Sequence, residues 1–134
     1  MFDFGSLVVV AIAAVSAIAT PTGENVRRQA IGQPITGGEA TFYFQGGVAG
    51  ACGQVNPDSA LIVAEQAQRF KQSDCGRRVQ VTNTQNGRTV VATVADECPG
   101  CQGNANSLDL SQGAFDQIAD ESQGIVPITW EYLS

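Results

Sequence analysis

The sequence has no histidine, few basic side chains, one tryptophan and one methionine. The absence of histidine excludes a Ser-His-Asp or Cys-His nucleophilic site and removes the commonest zinc ligand. Seven Lys and Arg residues stand against 13 Asp and Glu residues, which gives a formal net charge of −6. Nucleic acids and anionic membranes bind basic surfaces, so neither is expected as a partner.

The only long hydrophobic run lies near the N-terminus, LVVVAIAAVSAIA from Leu7 to Ala19. It is too short to span a bilayer, and it ends in the small residues typical of a signal-peptide cleavage site. We therefore predict a signal peptide over residues 1–19, although its first residues include Asp3 and no Lys or Arg. The alternative is an N-terminal strand or a membrane anchor.

Residues 20–37 are polar and lack periodicity, which predicts a flexible segment. It contains the dibasic pair Arg27–Arg28, where a propeptide could end. The folded domain is then expected over residues 38–134, about 100 residues, a common domain size. We expect a secreted, extracellular protein that does not associate with membranes once the signal peptide is removed.

Four cysteines, Cys52, Cys75, Cys98 and Cys101, lie in the part of the chain predicted to be exported. An even number in a small exported domain is typical of two disulfides, and three connectivities remain open. A structural zinc site is disfavoured because only one Cys-x-x-Cys pair is present and oxidation would consume the thiols. A thioredoxin-like redox pair is disfavoured because no helix follows Cys98 and Cys101 directly. We expect no metal and no cofactor.

The alternation of apolar and polar residues predicts a mainly β fold. Six short strands are indicated, over residues 40–44, 60–64, 77–83, 88–95, 107–110 and 126–133. Asn86–Gly87 is a strong hairpin signal between the third and fourth strands. Ser111 can cap a helix over residues 112–119, and residues 65–70 could add one or two helical turns. Short strands with tight turns favour a closed barrel.

The aromatic residues near the C-terminus have two interpretations. Trp130 shares one face of the last strand with Val126, Ile128 and Tyr132, which favours packing in the core. A position at the end of a binding groove is the alternative for Trp130. Phe42 and Tyr132 carry the same ambiguity with a stronger preference for packing.

Two aspartates, Asp96 and Asp109, are the candidate functional carboxylates. Asp96 ends a β-branched strand and Asp109 precedes the predicted helix, so both could face a shallow groove. The alternative is structural: Asp96 could cap a turn and Asp109 could serve the start of the helix. The pattern alone leaves both interpretations open.

Several motifs together resemble the double-psi β-barrel of expansin-related proteins. They are ATFYFQGG, GACG, CGRRVQVTN, NGRTVVATVADECPGC, SLDLSQGAFDQIA and ITWEYL, in the family's order and over roughly residues 38–133. The resemblance is closest to the single-domain fungal loosenin type, with RlpA-like and barwin-type proteins as wider relatives. It implies a six-stranded double-psi β-barrel with one or two short helices.

The resemblance also implies roles for individual residues. Thr41 and Tyr43 match the Thr-x-Tyr that lines the polysaccharide groove of expansins, and Asp96 matches the Asp that closes the strand before a variable loop. Asp109 matches the Asp most closely tied to wall loosening. By the same analogy Cys52 pairs with Cys75, which leaves Cys98 with Cys101.

One departure from related enzymes concerns hydrolysis. Family-45 endoglucanases share the barrel and use two aspartates, and the base lies two residues after the Tyr, where this chain has Gln45. An amide cannot act as a general base, so hydrolysis is disfavoured. The resemblance therefore implies a monomeric, non-hydrolytic protein that binds cellulose, chitin or a related β-glucan. Two alternatives remain: a barwin-like protease inhibitor that uses its loops, and a lytic transglycosylase that uses Asp109 as its lone acid.

Overall fold

A computed structural model describes residues 30–134 as a mainly β domain. The predicted signal peptide and the dibasic pair lie outside the described residues. The six strands are β1 Ile35–Tyr43, β2 Ile62–Gln66, β3 Arg78–Asn83, β4 Thr89–Cys98, β5 Leu108–Ser111 and β6 Val126–Tyr132. One α-helix, α1, spans Gln112–Ile118, and short 3₁₀ turns occupy Gln72–Asp74, Cys101–Gly103 and Glu121–Gln123. None of the helices in this part of the chain is both long and apolar enough to cross a membrane.

The strands form a closed barrel in the order β1-β5-β2-β4-β3-β6. Two of the neighbouring pairs, β1 with β5 and β2 with β4, are parallel, and the other pairs are antiparallel. Closure leaves no strand edge unpaired, which protects a strand-rich protein from edge-to-edge association. The predicted fold class, a six-stranded β-barrel with short helices, is confirmed.

The β3–β4 hairpin forms where Asn86–Gly87 predicts it. Gly87 has a φ of 76°, which favours glycine, and its N–H donates to the Asn83 carbonyl at 2.8 Å. The side-chain amides of Asn83 and Asn86 both donate to the Ile118 carbonyl, at 2.9 and 3.0 Å. The turn therefore also satisfies a carbonyl at the C-terminus of α1.

Several elements differ from the sequence prediction. β4 continues through Asp96 to Cys98 instead of ending at residue 95, and β2 is shifted by two residues to Ile62–Gln66. β1 begins at Ile35 instead of residue 40, since a register shift between Ile35 and Gly38 lets the strand start earlier against β6. A Cβ on Gly38 would lie 1.8 Å from the Asn106 carbonyl oxygen, so only glycine permits this approach. The predicted helical turns over residues 65–70 are wrong at their start, because Glu65 and Gln66 belong to β2.

The barrel interior and the space under α1 form one apolar core. The predicted apolar face of α1, with Ala114, Phe115 and Ile118, is fully buried, and Ser111 Oγ caps the helix by accepting from Ala114 N–H at 3.2 Å. Trp130 is 1 % exposed and its indole N–H donates to the Asn106 carbonyl at 2.9 Å. Packing is thus the correct alternative for Trp130.

The other two ambiguous aromatics also pack. The Tyr132 ring is fully buried with its centroid 5.1 Å from that of Trp130. Phe42 packs against Phe115, with centroids 4.9 Å apart. Trp130 and Tyr132 are therefore inaccessible to a ligand, whereas Phe42 is partly buried against the core.

Two disulfides join Cys52 to Cys75 and Cys98 to Cys101, the pairs that the resemblance implies. Their sequence separations are 23 and 3 residues. By loop-closure entropy, the first contributes about 3.5 kcal/mol to stability and the second about 2 kcal/mol. The Cys98–Cys101 bond is therefore the less costly of the two to open.

A group of charged and polar side chains is buried where β2 faces β6. Glu65 is completely buried and accepts a hydrogen bond from the Tyr132 hydroxyl on Oε2. Asp74 is paired with Arg77 at 3.3 Å, and the Arg77 guanidinium lies 3.7 Å from the centre of the Tyr132 ring. Burial, followed by the neighbouring Asp74 carboxylate, raises the pKa of Glu65 to about 8. The sequence pattern indicated none of this cluster.

Candidate functional site

Strand register brings the candidate carboxylates into one row across the barrel. Thr41 on β1 is opposite Asp109 on β5, Asp109 is opposite Ala64 on β2, and Ala64 is opposite Asp96 on β4. The two aspartates are therefore two strand spacings apart, about 9.5 Å between Cα atoms. Ala64 between them is buried and small, so it leaves a shallow floor.

A β-bulge decides which residue of β4 joins this row. The register of β2 with β4 shifts between Val63 and Ala64, so that Val63 pairs with Val94 and Ala64 pairs with Asp96. Without the shift, Ala64 would lie opposite Ala95, and Asp96 would fall out of the row. Bulges commonly re-aim side chains beside functional sites in this way.

One carboxylate oxygen of Asp109 accepts a hydrogen bond, and the other lies near a disulfide sulfur. The Thr41 hydroxyl donates to Asp109 Oδ1 at 2.8 Å. Asp109 Oδ2 lies 3.9 Å from Cys98 Sγ, which has no proton to donate because it is disulfide-bonded. Burial raises the pKa of Asp109, the Thr41 hydrogen bond opposes this, and the charge of Asp96 adds to the rise.

Asp96 anchors both the aromatic residue and the glycine-rich loop. Its Oδ2 accepts from the Tyr43 hydroxyl at 2.9 Å. Its Oδ1 accepts from the backbone N–H groups of Ala51 and Glu97, at 2.7 and 2.8 Å. Three donors thus fix this carboxylate, and through it the Tyr43 ring and the loop that carries Ala51.

The close approach of the glycine-rich loop to β4 requires a glycine at position 50. A Cβ at Gly50 would lie 2.8 Å from the Ala95 carbonyl oxygen and 3.0 Å from Asp96 Cγ. The neighbouring Cys52 N–H donates to the same Ala95 carbonyl at 3.2 Å. The loop therefore lies directly against the end of β4, which brings Ala51 within reach of Asp96.

Tyr43 is a half-buried neutral donor. Burial, together with the hydrogen bond to Asp96 and its charge, raises the pKa of Tyr43 far above its usual range. The hydroxyl therefore keeps its proton at any physiological pH and continues to donate to Asp96. The four predicted groove residues, Thr41, Tyr43, Asp96 and Asp109, are brought together as two donor–carboxylate pairs.

Gln45 is the residue that the resemblance aligns with the base of family-45 endoglucanases. Its side chain is 7 % exposed, and Nε2 has no hydrogen-bond partner among the described residues. Its backbone N–H donates to Asp58 Oδ1 at 2.6 Å. A buried amide at this position offers no carboxylate to activate water.

Sequence reasoning missed two features of this site. Asp58 ties the end of β1 to the loop before β2, and an isolated Asp in a loop carries no signal of that role. The sequence also gives no sign that the Cys98–Cys101 disulfide borders Asp109. Among residues 30–134, the sulfurs of Cys98 and Cys101 and a carboxylate oxygen of Asp109 lie within 4.8 Å of one another.

Comparison with known proteins identifies the family. A family model described as lytic transglycolase, a double-psi β-barrel domain, matches residues 35–130. The papain inhibitor of Streptomyces mobaraensis is 34% identical over 129 residues, which is 91% of this chain and 87% of that protein. A probable endolytic peptidoglycan transglycosylase RlpA from Nostoc is 37% identical over 72% of this chain, but the match covers only 25% of that protein.

A solved structure gives the comparison with expansins. A mutant Clavibacter michiganensis expansin in complex with cellohexaose superposes with a TM-score of 0.65 and 31% identity. The match covers 76% of this chain and 51% of the expansin, so this chain corresponds to about half of that protein. On the family match and these relatives, the chain belongs to the RlpA-like double-psi β-barrel family, which includes expansin-like proteins.

Proposed function

We propose that this protein binds cell-wall polysaccharide, cellulose, chitin or a related β-glucan, along the row from Thr41 to Asp96 and loosens it without hydrolysis. The observation that carries the proposal is the pairing of Thr41 with Asp109 and of Tyr43 with Asp96 on one side of the barrel. The cellohexaose complex of a related expansin supports a carbohydrate ligand.

The chemistry of the row suits sugar hydroxyls. Asp109 Oδ2 receives no N–H or O–H donor from the described residues, so a glycan hydroxyl can donate to it. The half-buried Tyr43 ring offers a face for the carbon skeleton of a sugar. Hydrogen bonds to an ionised carboxylate contribute about 1.5–3 kcal/mol net, against about 0.5–1.5 kcal/mol for neutral pairs. Such bonds compete locally with contacts between glycan chains, but they do not dissolve a crystal.

Hydrolysis by inversion would need a general base as well as an acid. Gln45 cannot serve as that base, and Asp96 already accepts three hydrogen bonds that hold Tyr43 and the loop. Moving Asp96 to activate water would break those contacts. We therefore propose that Asp109 acts as a binding carboxylate instead of one half of a hydrolytic pair.

The test combines loosening with product analysis. Purified protein is incubated with filter paper, chitin and β-glucan, and tensile strength and soluble sugars are measured together. We expect weakening of at least one material with no sustained sugar release. Steady release of reducing sugars would contradict the proposal in favour of hydrolysis, and release of anhydro-sugars would favour lytic transglycosylation with Asp109 as acid.

A second candidate is inhibition of papain-class cysteine proteases. It is favoured by the full-length similarity to the Streptomyces papain inhibitor and by three exposed apolar side chains in one loop region, Phe44, Val48 and Val55, at 58, 66 and 62 % exposure. Exposed apolar side chains grouped in one loop region are suited to contact another protein. This contact would not use Asp109, so inhibition should survive the loss of that carboxylate.

We also propose that the protein is secreted, with a leader over residues 1–19; the barrel domain begins before the predicted residue 38, because β1 starts at Ile35. Two disulfides in a small domain fit an oxidising compartment. N-terminal sequencing of the exported protein would locate the cleavage, and a mature protein that still begins at Met1 would contradict the leader.

A further inference from the structure

The segment that follows Cys98, the last residue of β4, has an unfavourable backbone conformation at Cys101 and Gln102. Cys101 and Gln102 have φ values of 42° and 58°, and both carry side chains. Residues other than glycine rarely adopt this left-handed conformation, least of all in succession. The disulfide joins residues only 3 positions apart, so it removes little conformational entropy from the unfolded chain and contributes little to stability. Opening the disulfide releases a conformation that the backbone does not favour.

Three metal-ligating atoms meet at this loop. The sulfurs of Cys98 and Cys101 and a carboxylate oxygen of Asp109 all lie within 4.8 Å of one another. Tetrahedral zinc with Zn–S near 2.3 Å and Zn–O near 2.0 Å requires edges of about 3.8 Å between sulfurs and about 3.5 Å between sulfur and oxygen. The Asp109 Oδ2 to Cys98 Sγ distance of 3.9 Å is already close to the second value. The two sulfurs are bonded to each other, so they would have to separate on reduction before an ion could lie between them.

Asp109 is oriented for such a role. The Thr41 hydroxyl donates to Oδ1, which leaves Oδ2 on the side of the sulfurs. This is the arrangement in which an outer hydrogen bond fixes a ligating carboxylate.

We propose that reduction of the Cys98–Cys101 disulfide creates a binding site for a thiophilic divalent cation of the zinc class, with Cys98, Cys101 and Asp109 as ligands. The reductant is a dithiol or a phosphine. It supplies two electrons, the S–S bond breaks, and two thiols form; a phosphine takes up the oxygen of one water to become the phosphine oxide. Metal binding then releases the two thiol protons, and water occupies the fourth position.

The consequence for glycan binding rests on the proposed function, but the metal site does not. A metal-bound Asp109 would no longer accept a hydrogen bond from a sugar hydroxyl. Reduction in the presence of zinc would therefore switch the groove off, and chelation followed by oxidation would restore it.

Cobalt(II) is the probe, because cobalt–thiolate bonds absorb in the near ultraviolet and tetrahedral cobalt has intense visible bands. The full-length exported protein is reduced with a phosphine that leaves cobalt free and is then titrated with Co²⁺. We expect one equivalent to bind with a thiolate charge-transfer band. The double substitution Cys98→Ser and Cys101→Ser should abolish the band, and Asp109→Asn should weaken binding at least about 10-fold.

A matched variant separates this site from the other disulfide. Cys52→Ser with Cys75→Ser removes the other two sulfurs and should keep both the band and the affinity, provided that circular dichroism shows a folded protein. The proposal is overturned if the reduced protein shows no thiolate band. It is equally overturned if the band is lost with Cys52 and Cys75, or if the oxidised protein binds Co²⁺ equally well.

Discussion

Replacing Asp109 by asparagine is expected to weaken binding to insoluble glucan or chitin by about 10-fold and to abolish loosening, because a neutral amide replaces the ionised acceptor. Asparagine has nearly the same shape, and its oxygen can still accept from the Thr41 hydroxyl, which donates to Asp109 Oδ1 at 2.8 Å. The fold should therefore be retained. Depletion binding to washed polysaccharide and the tensile strength of filter paper give the two readings.

Asp120→Asn is the matched control, since it removes the same charge from an exposed aspartate beyond α1. It should bind and loosen as the unmodified protein does. If Asp109→Asn also binds and loosens normally, the groove role of Asp109 is wrong. If a papain-class protease is inhibited equally by both variants while no polysaccharide is bound by any form, the inhibitor function replaces the proposed one.

The second large effect concerns the fall in stability between about pH 4.5 and 8. Glu65 has a pKa of about 8 in the fold, raised first by burial and then by Asp74, against 4.5 for an ordinary glutamate. Between these two pH values the folded protein binds one more proton than the unfolded chain, so the free energy of unfolding falls as pH rises. The contribution of Glu65 is fully present below about pH 4.5 and is lost as pH approaches about 8. The slope is at most about 1.4 kcal/mol per pH unit.

Glu65→Gln should remove this slope, because glutamine mimics the protonated acid at every pH. Its oxygen can accept from the Tyr132 hydroxyl, and its amide can donate toward Asp74. We expect the variant to match the parent near pH 4.5 and to exceed it by a few kcal/mol at pH 8.

Urea unfolding from pH 4.5 to 9 measures the difference in stability between the variant and the parent. Taking the difference cancels the contributions of groups that titrate alike in both proteins. Glu97→Gln, at an exposed position, is the control and should keep the parent's slope. Equal slopes for Glu65→Gln and the parent would show that folding does not raise the pKa of Glu65.

The barrel could be predicted because its strands alternate regularly and its turns carry strong local signals, such as Asn86–Gly87. Packing of Trp130 could be predicted from the same alternation. The β2 strand was predicted only in part, because Glu65 and Gln66 resemble surface residues, although both are buried. A charged residue is buried only when a partner compensates, and partners distant in sequence leave no local pattern.

The candidate site could likewise be predicted only in part. Thr41, Tyr43, Asp96 and Asp109 could be named from the resemblance, but the reason they meet could not. The bulge between Val63 and Ala64 that places Asp96 in the row depends on how β2 and β4 pair, which no local signal encodes. The contact of the Cys98–Cys101 disulfide with Asp109 also depends on strand pairing. β4 and β5 are the two neighbours of β2 in the barrel, which brings Cys98 and Asp109 close together.

Titration of the ¹⁵N-labelled protein with cellohexaose and chitohexaose, followed by amide chemical shifts, is the most direct test of carbohydrate binding in the groove. Ala51 and Glu97 report on Asp96 through their N–H groups, and the amide of Asp109 reports on the other end of the row. We expect the largest saturable shifts at these three amides with at least one of the two sugars. No saturable shifts with either sugar, or shifts confined to the exposed residues around Val48 and Val55, would contradict it.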